Sequence, residues 1–125
     1  MKVLALDYGS ARTGVAVSDP TGTVARPVTT VERVSTEAGF AKLLDVIEAE
    51  EPDLVLVGLP LTLRGERGEQ ALATEAFVAR LRDVVAAPIE TYDERFTSVL
   101  ADGDDALAAA HLLSGYLERW QSGRG

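Results

Sequence analysis

The chain opens on short runs of mostly apolar, β-prone residues. Two β-prone runs, Val3–Tyr8 and Thr13–Ser18, flank a tight Gly9–Arg12 connection, which predicts a hairpin. Along the first run Val3, Ala5 and Asp7 point one way, and Leu4, Leu6 and Tyr8 the other. Asp19-Pro20-Thr21-Gly22 is a turn by composition. The Val- and Thr-rich stretch Thr23–Val34 reads as a third strand, placed at an edge by Pro27. Three strands joined by short turns make an antiparallel meander. The period then changes. Ser35 or Thr36 caps a helix whose buried face is Phe40, Leu43, Leu44 and Ile47, and Pro52 ends it. Leu54–Leu59 is a continuous apolar run, as expected of a strand covered on both faces. Beyond the polar loop Pro60–Gly68, a second helix is expected over roughly Gln70–Ala86, with Ala73, Phe77, Leu81, Val84 and Val85 as its stripe. Pro88 restarts the chain into a fifth strand, Ile89–Tyr92, and Thr97 or Ser98 can cap a short helical piece. The last helix runs from about Asp104 to Gln121, with Ala109, Leu112, Leu113, Tyr116 and Trp120 on one side.

The string βββαβαβα predicts an α/β fold: a five-stranded mixed sheet with helices on both faces, one domain over residues 1–125. A hydrophobic share of 46% against 26% charged supports a packed core rather than disorder. The absence of cysteine excludes a disulfide framework and a thiolate metal site, and fits a reducing compartment. The opening apolar run is too short for a signal peptide, and the longest one, Leu54–Leu61, is too short to span a bilayer. A soluble cytoplasmic protein with no membrane partner is expected. The formal net charge of −8 argues against non-specific nucleic-acid binding, although it says little about one local face. Arg12, Arg64, Arg67 and Arg95 all fall in predicted connections, where such a face could form.

Asp7 closes a row that is otherwise apolar, and a carboxylate there is costly without a cation or hydrogen-bond donors. In the expected topology the first, fourth and fifth strands run parallel, and ligands sit beyond the carboxyl ends of such strands. Asp7 ends the first strand, Asp93 and Glu94 end the fifth, and Asp105 lies in the first turn of the last helix. Two carboxylates about 4 Å apart repel by roughly 4 kcal/mol at an effective dielectric near 20, so such a cluster calls for protonation or a bound cation. Oxygen-only ligands suit Mg²⁺ or Mn²⁺ rather than Zn²⁺, and metals so held handle phosphate chemistry. Each acid also has a plainer reading: Asp7 as the start of a turn, Asp105 as a helix N-terminal acid, Glu94 as a loop acid paired with Arg95. His111, Tyr116 and Trp120 read as structural.

Leu6-Asp7-Tyr8-Gly9, with Arg12-Thr13-Gly14-Val15-Ala16-Val17-Ser18-Asp19, resembles the opening signature of the YqgF/RuvX family of RNase H-like nucleases. Val57-Gly58-Leu59-Pro60-Leu61 followed by Gly65 and Gly68, and Asp93-Glu94-Arg95-Phe96-Thr97-Ser98, resemble its second and third motifs. Asp105-Ala106-Leu107-Ala108-Ala109 with Leu112-Leu113-Ser114-Gly115-Tyr116 resembles the fourth. The resemblance implies an RNase H-like fold and a divalent-metal nuclease that processes the 5′ end of pre-16S rRNA, with Holliday junction resolution as the alternative. It implies Asp7, Glu94 and Asp105 as catalytic and metal-binding acids. It also implies Arg12, Arg95 and the 65–68 loop, with Arg64 and Arg67, as contacts to the nucleic-acid backbone. One departure stands out: family members have a longer, basic segment where only Val99-Leu100-Ala101-Asp102-Gly103-Asp104 precedes Asp105. Either a substrate-gripping loop is shortened, or residues are absent between about Leu100 and Asp105. Two other classes compete. An ATP-binding lobe needs two such domains around its nucleotide, and a non-catalytic binding module would not need the three acids. Monomer and homodimer both remain open.

Overall fold

The computed structural model describes residues 1–60, 68–93 and 105–123, with side chains as far as residue 119. The elements are β1 (Val3–Asp7), β2 (Arg12–Ser18), β3 (Ala25–Glu32), α1 (Glu37–Glu50), β4 (Leu54–Leu59), α2 (Glu69–Arg82), β5 (Ile89–Asp93) and α3 (Asp105–Gly123). They follow the expected order, and the strands form one sheet in the order β3-β2-β1-β4-β5. The meander is antiparallel, while β4 pairs parallel with both β1 and β5. Pro27 does lie on an edge strand. There Val15 faces Thr29 and Ala16 faces Pro27, so Val28 is an extra residue that bulges β3.

Strand alternation sorts the core into two layers. Leu4, Leu6, Val15, Val17, Val55 and Val57 pack with Phe40, Leu43 and Ile47 of α1 and with Phe77, Val78 and Leu81 of α2. Val3, Ala5, Ala16, Leu54 and Leu56 pack with Ala109, Leu112, Leu113 and Leu117 of α3. Each fully buried Leu or Val is worth about 1.5–3 kcal/mol relative to exposure, so both layers contribute substantially. Thr36 is the cap of α1, its Oγ1 accepting from the Gly39 N–H at 3.1 Å.

The second helix departs from expectation. It ends at Arg82, and its buried stripe is Ala71, Thr74, Phe77, Val78 and Leu81. Ala73 faces solvent, and Val84 lies beyond the helix at 57% exposure. Thr74 takes the buried place expected of Ala73, its hydroxyl donating to the Gln70 carbonyl at 2.8 Å, while Phe77 and Leu81 are buried as expected. The expected cap at Thr97 or Ser98 lies outside the described residues, as does the side chain of Trp120.

Two motif residues at the far end of β2 are architectural. Ser18 Oγ accepts the Val3 N–H at 2.8 Å. Asp19 accepts the Thr23 and Val24 N–H groups at 2.7 and 2.9 Å, closing the β2–β3 turn. The Thr21 hydroxyl, then those N–H groups, hold the Asp19 carboxyl at a pKa of about 2, below its ordinary 3.8. The folded value is the depressed one, so this stabilisation is complete above about pH 4 and fades as pH falls through about 2. Asp19→Ala should therefore lower the thermal midpoint at pH 7 and flatten the loss of stability over that acid range, measured by circular dichroism against pH.

Thr13 is fully buried, and its Oγ1 has no hydrogen-bond partner among the described residues. A buried orphan hydroxyl costs roughly 1–3 kcal/mol, so Thr13→Val should raise stability by about 1 kcal/mol in urea unfolding. A lowered midpoint would mean that the hydroxyl is partnered.

Candidate active site

The parallel strands β1, β4 and β5 end on one rim at Asp7, Leu59 and Asp93. Asp7 is half-buried and stands opposite Gly14 in the antiparallel ladder. Residues directly opposed across a ladder share a face, so Asp7 continues the Val3–Ala5 row beneath α3. Gly14 brings the next acid to it. A Cβ on Gly14 would fall 1.7 Å from the Asp105 carbonyl oxygen, so the first turn of α3 rests directly on the backbone of β2. Asp7 and the start of α3 thus meet on the same face, across one glycine.

Asp105 opens α3, where a negative charge is favoured by the helix dipole. Its Oδ2 lies 3.1 Å from Arg12 Nε. The Arg12 side chain is 58% exposed and that of Asp105 31%, so the pair is of the solvent-screened kind, worth about 0–1 kcal/mol, and readily exchanged. On the opposite side Tyr8 stacks on Phe77 at 4.4 Å between ring centroids, tying the residue after Asp7 to α2. The rim is held from both layers. At β5, Tyr92 packs edge-on against Tyr116 of α3 at 5.6 Å, so alternation turns Asp93 toward the other face. Burial, then the nearby Glu90 charge, raises the Tyr116 phenol above its ordinary 10.0.

Of the expected site residues, Arg12 pairs with Asp105 and Asp7 stands opposite Gly14, on which the Asp105 backbone rests, while Glu94, Arg64, Arg67 and Arg95 lie outside the described residues. Among the described residues no group of three or more His, Cys, Asp or Glu is gathered for a metal ion. The two acids present offer oxygen donors only, and one already holds a cationic partner in Arg12, which fits a hard divalent cation. The reading from sequence missed the Gly14 seam and the Arg12–Asp105 pair. A glycine inside a strand was the available signal, since it marks close backbone approach. An apolar hollow of about 370 Å³, lined by Leu44, Ile47, Pro52, Val84 and Val85, lies at the opposite end of the sheet.

The family model described as RuvX, Holliday junction resolvase, matches residues 1–119. A candidate pre-16S rRNA nuclease of Chloroflexus aurantiacus is 42% identical over 100 residues, covering 80% of this chain but only 65% of that protein. The chain thus spans just under two thirds of that relative. One of the same name from Sulfurihydrogenibium sp. is 40% identical over 133 residues, covering 94% of this chain and 90% of its own length. That alignment is longer than the 125 residues here, so the relative has residues with no counterpart in this chain. Thermus thermophilus RuvC in complex with its Holliday junction substrate superposes with a TM-score of 0.57 at 17% identity, covering 97% of this chain and 96% of RuvC. Fowlpox virus resolvase, solved with its junction DNA, gives 0.61 at 10% identity, covering 96% and 99%. These likenesses establish the expected α/β, RNase H-like architecture.

The seam has a direct test. Gly14→Ala should destabilise the fold by roughly 1–3 kcal/mol through overpacking. Gly115→Ala on α3, where a Cβ would meet only the Tyr92 hydroxyl at 3.7 Å, should stabilise by about 0.5–1 kcal/mol. Urea unfolding of both separates the two; the same sign for each would remove the seam.

Proposed function

The chain belongs to the RuvX family, and on that premise we propose that it is a divalent-cation-dependent nuclease. It would hydrolyse phosphodiester bonds in structured nucleic acid, with the 5′ end of pre-16S rRNA as substrate and the cytoplasm as its place of work. The observation that supports this most is the meeting of Asp7 with the Asp105 end of α3 on one face of the carboxyl rim. Relatives at 40% and 42% identity bear the pre-16S rRNA nuclease name, which favours RNA. No helix among the described residues is long and apolar enough to cross a membrane.

In this reading Asp7, Glu94 and Asp105 are the acids that hold Mg²⁺ or Mn²⁺. A cation there supplies positive charge to polarise the phosphodiester and the attacking water. Asp7 is the rigid member, because its backbone is locked in the ladder opposite Gly14. Asp105 is set by the start of α3 on the β2 backbone. Arg12, Arg64, Arg67 and Arg95 neutralise phosphates, giving a chain of net charge −8 its local grip on a polyanion. The family description favours one second reading, resolution of four-way DNA junctions, whose two-fold symmetry would call for a homodimer rather than a monomer.

Asp7→Asn and Asp105→Asn should each lower cleavage of a precursor 16S rRNA fragment by about 100-fold or more, the loss of several kcal/mol of transition-state stabilisation. Asp7→Asn should leave the fold as stable or more so, because it relieves like-charge repulsion. Gel assays in Mg²⁺, Mn²⁺ and chelator, with single strands and four-way junctions alongside, check both. Full cleavage by Asp7→Asn defeats the assignment; cutting of junctions alone moves the substrate to DNA.

A further inference from the structure

Arg12 is expected from the family resemblance to touch substrate backbone, yet the structure has it on a protein acid. Its Nε lies 3.1 Å from Asp105 Oδ2. Glu32 is its register partner across the β2–β3 ladder, so a second carboxylate was within the reach of strand pairing. The guanidinium goes instead to the acid on the rim. The guanidinium leaves that carboxylate only when another partner takes it.

We propose that Arg12 is a positioning residue that couples cation loading to substrate binding. This rests on the reading of Asp105 as a cation-holding acid. Without nucleic acid, Arg12 occupies the same carboxylate that a divalent cation needs, and it holds that side chain in place at the helix start. A backbone phosphate offers the guanidinium a two-pronged partner of matching geometry. When the phosphate takes Arg12, Asp105 is released to the cation. Cation and phosphate thus help each other onto the site through one side chain, and by linkage the gain is equal in both directions. The exposure of the pair limits the size of the effect. A solvent-screened bridge is worth at most about 1 kcal/mol, which corresponds to roughly fivefold in affinity.

The test uses Mn²⁺ alone as the calorimetric probe on the full chain without nucleic acid. Arg12→Gln should tighten Mn²⁺ by about two- to fivefold, and Asp105→Asn should weaken it severely. Arg33→Gln, one residue past the register partner of Arg12, removes an equal charge without touching the pair and should leave Mn²⁺ affinity unchanged. In the unsubstituted protein, saturating Mg²⁺ should remove the hydrogen-exchange protection of the Arg12 Nε–H signal in nitrogen-15 NMR. Equal Mn²⁺ affinity in Arg12→Gln, equal tightening in Arg33→Gln, or an Nε–H signal unmoved by Mg²⁺ overturns the coupling and leaves the nuclease reading standing. No Mn²⁺ binding by any form overturns both.

Discussion

The approach of the first turn of α3 to the backbone of β2 is the constraint on which the rest of the site depends. Gly14 leaves no side chain between strand and helix, and the neighbouring positions on that face are Ala5 and Ala16. Small residues there let Ala109, Leu112 and Leu113 sit close against the sheet with no exposure. The same contact delivers Asp105 to the register neighbour of Asp7. Packing and chemistry are thus one arrangement: any residue that props the helix away from β2 also separates the acids.

The other layer supplies the rigidity. Tyr8 follows Asp7 and turns to the opposite face, where it stacks on Phe77, itself edge-on to Phe40 at 6.5 Å. The Arg80 guanidinium covers the Phe40 ring at 3.8 Å, closing the aromatic row against water. Alternation therefore gives the end of β1 two jobs at once, an acid toward α3 and an anchor toward α2. The carboxylate at the end of β1 is thereby fixed from both layers.

Not every residue of the opening motif belongs to that rim. Ser18 and Asp19 lie at the other end of β2, where they satisfy backbone N–H groups of β1 and of the β2–β3 turn. Thr13 points into the large core layer with its hydroxyl unpartnered among the described residues. Within one eight-residue stretch, then, Arg12 and Gly14 meet the start of α3 while Ser18 and Asp19 hold the other end of the strand. The motif is one string because a single strand passes both places.

Alternation and helical period are local properties, written at spacings of two and about 3.6 residues. For that reason the element order, the edge placement of Pro27, the sorting of Val3, Ala5 and Asp7 onto one face, and the parallel run of β1, β4 and β5 were all legible in the sequence. The place of Thr74 in the α2 stripe was not, because Thr74 is polar by type and buried by context. The match of Gly14 to the Asp105 carbonyl, and the choice of Arg12 between Glu32 and Asp105, join segments about ninety residues apart. No local period encodes such a meeting. It is decided by how closely a helix can lie on a sheet, which only the assembled layers determine.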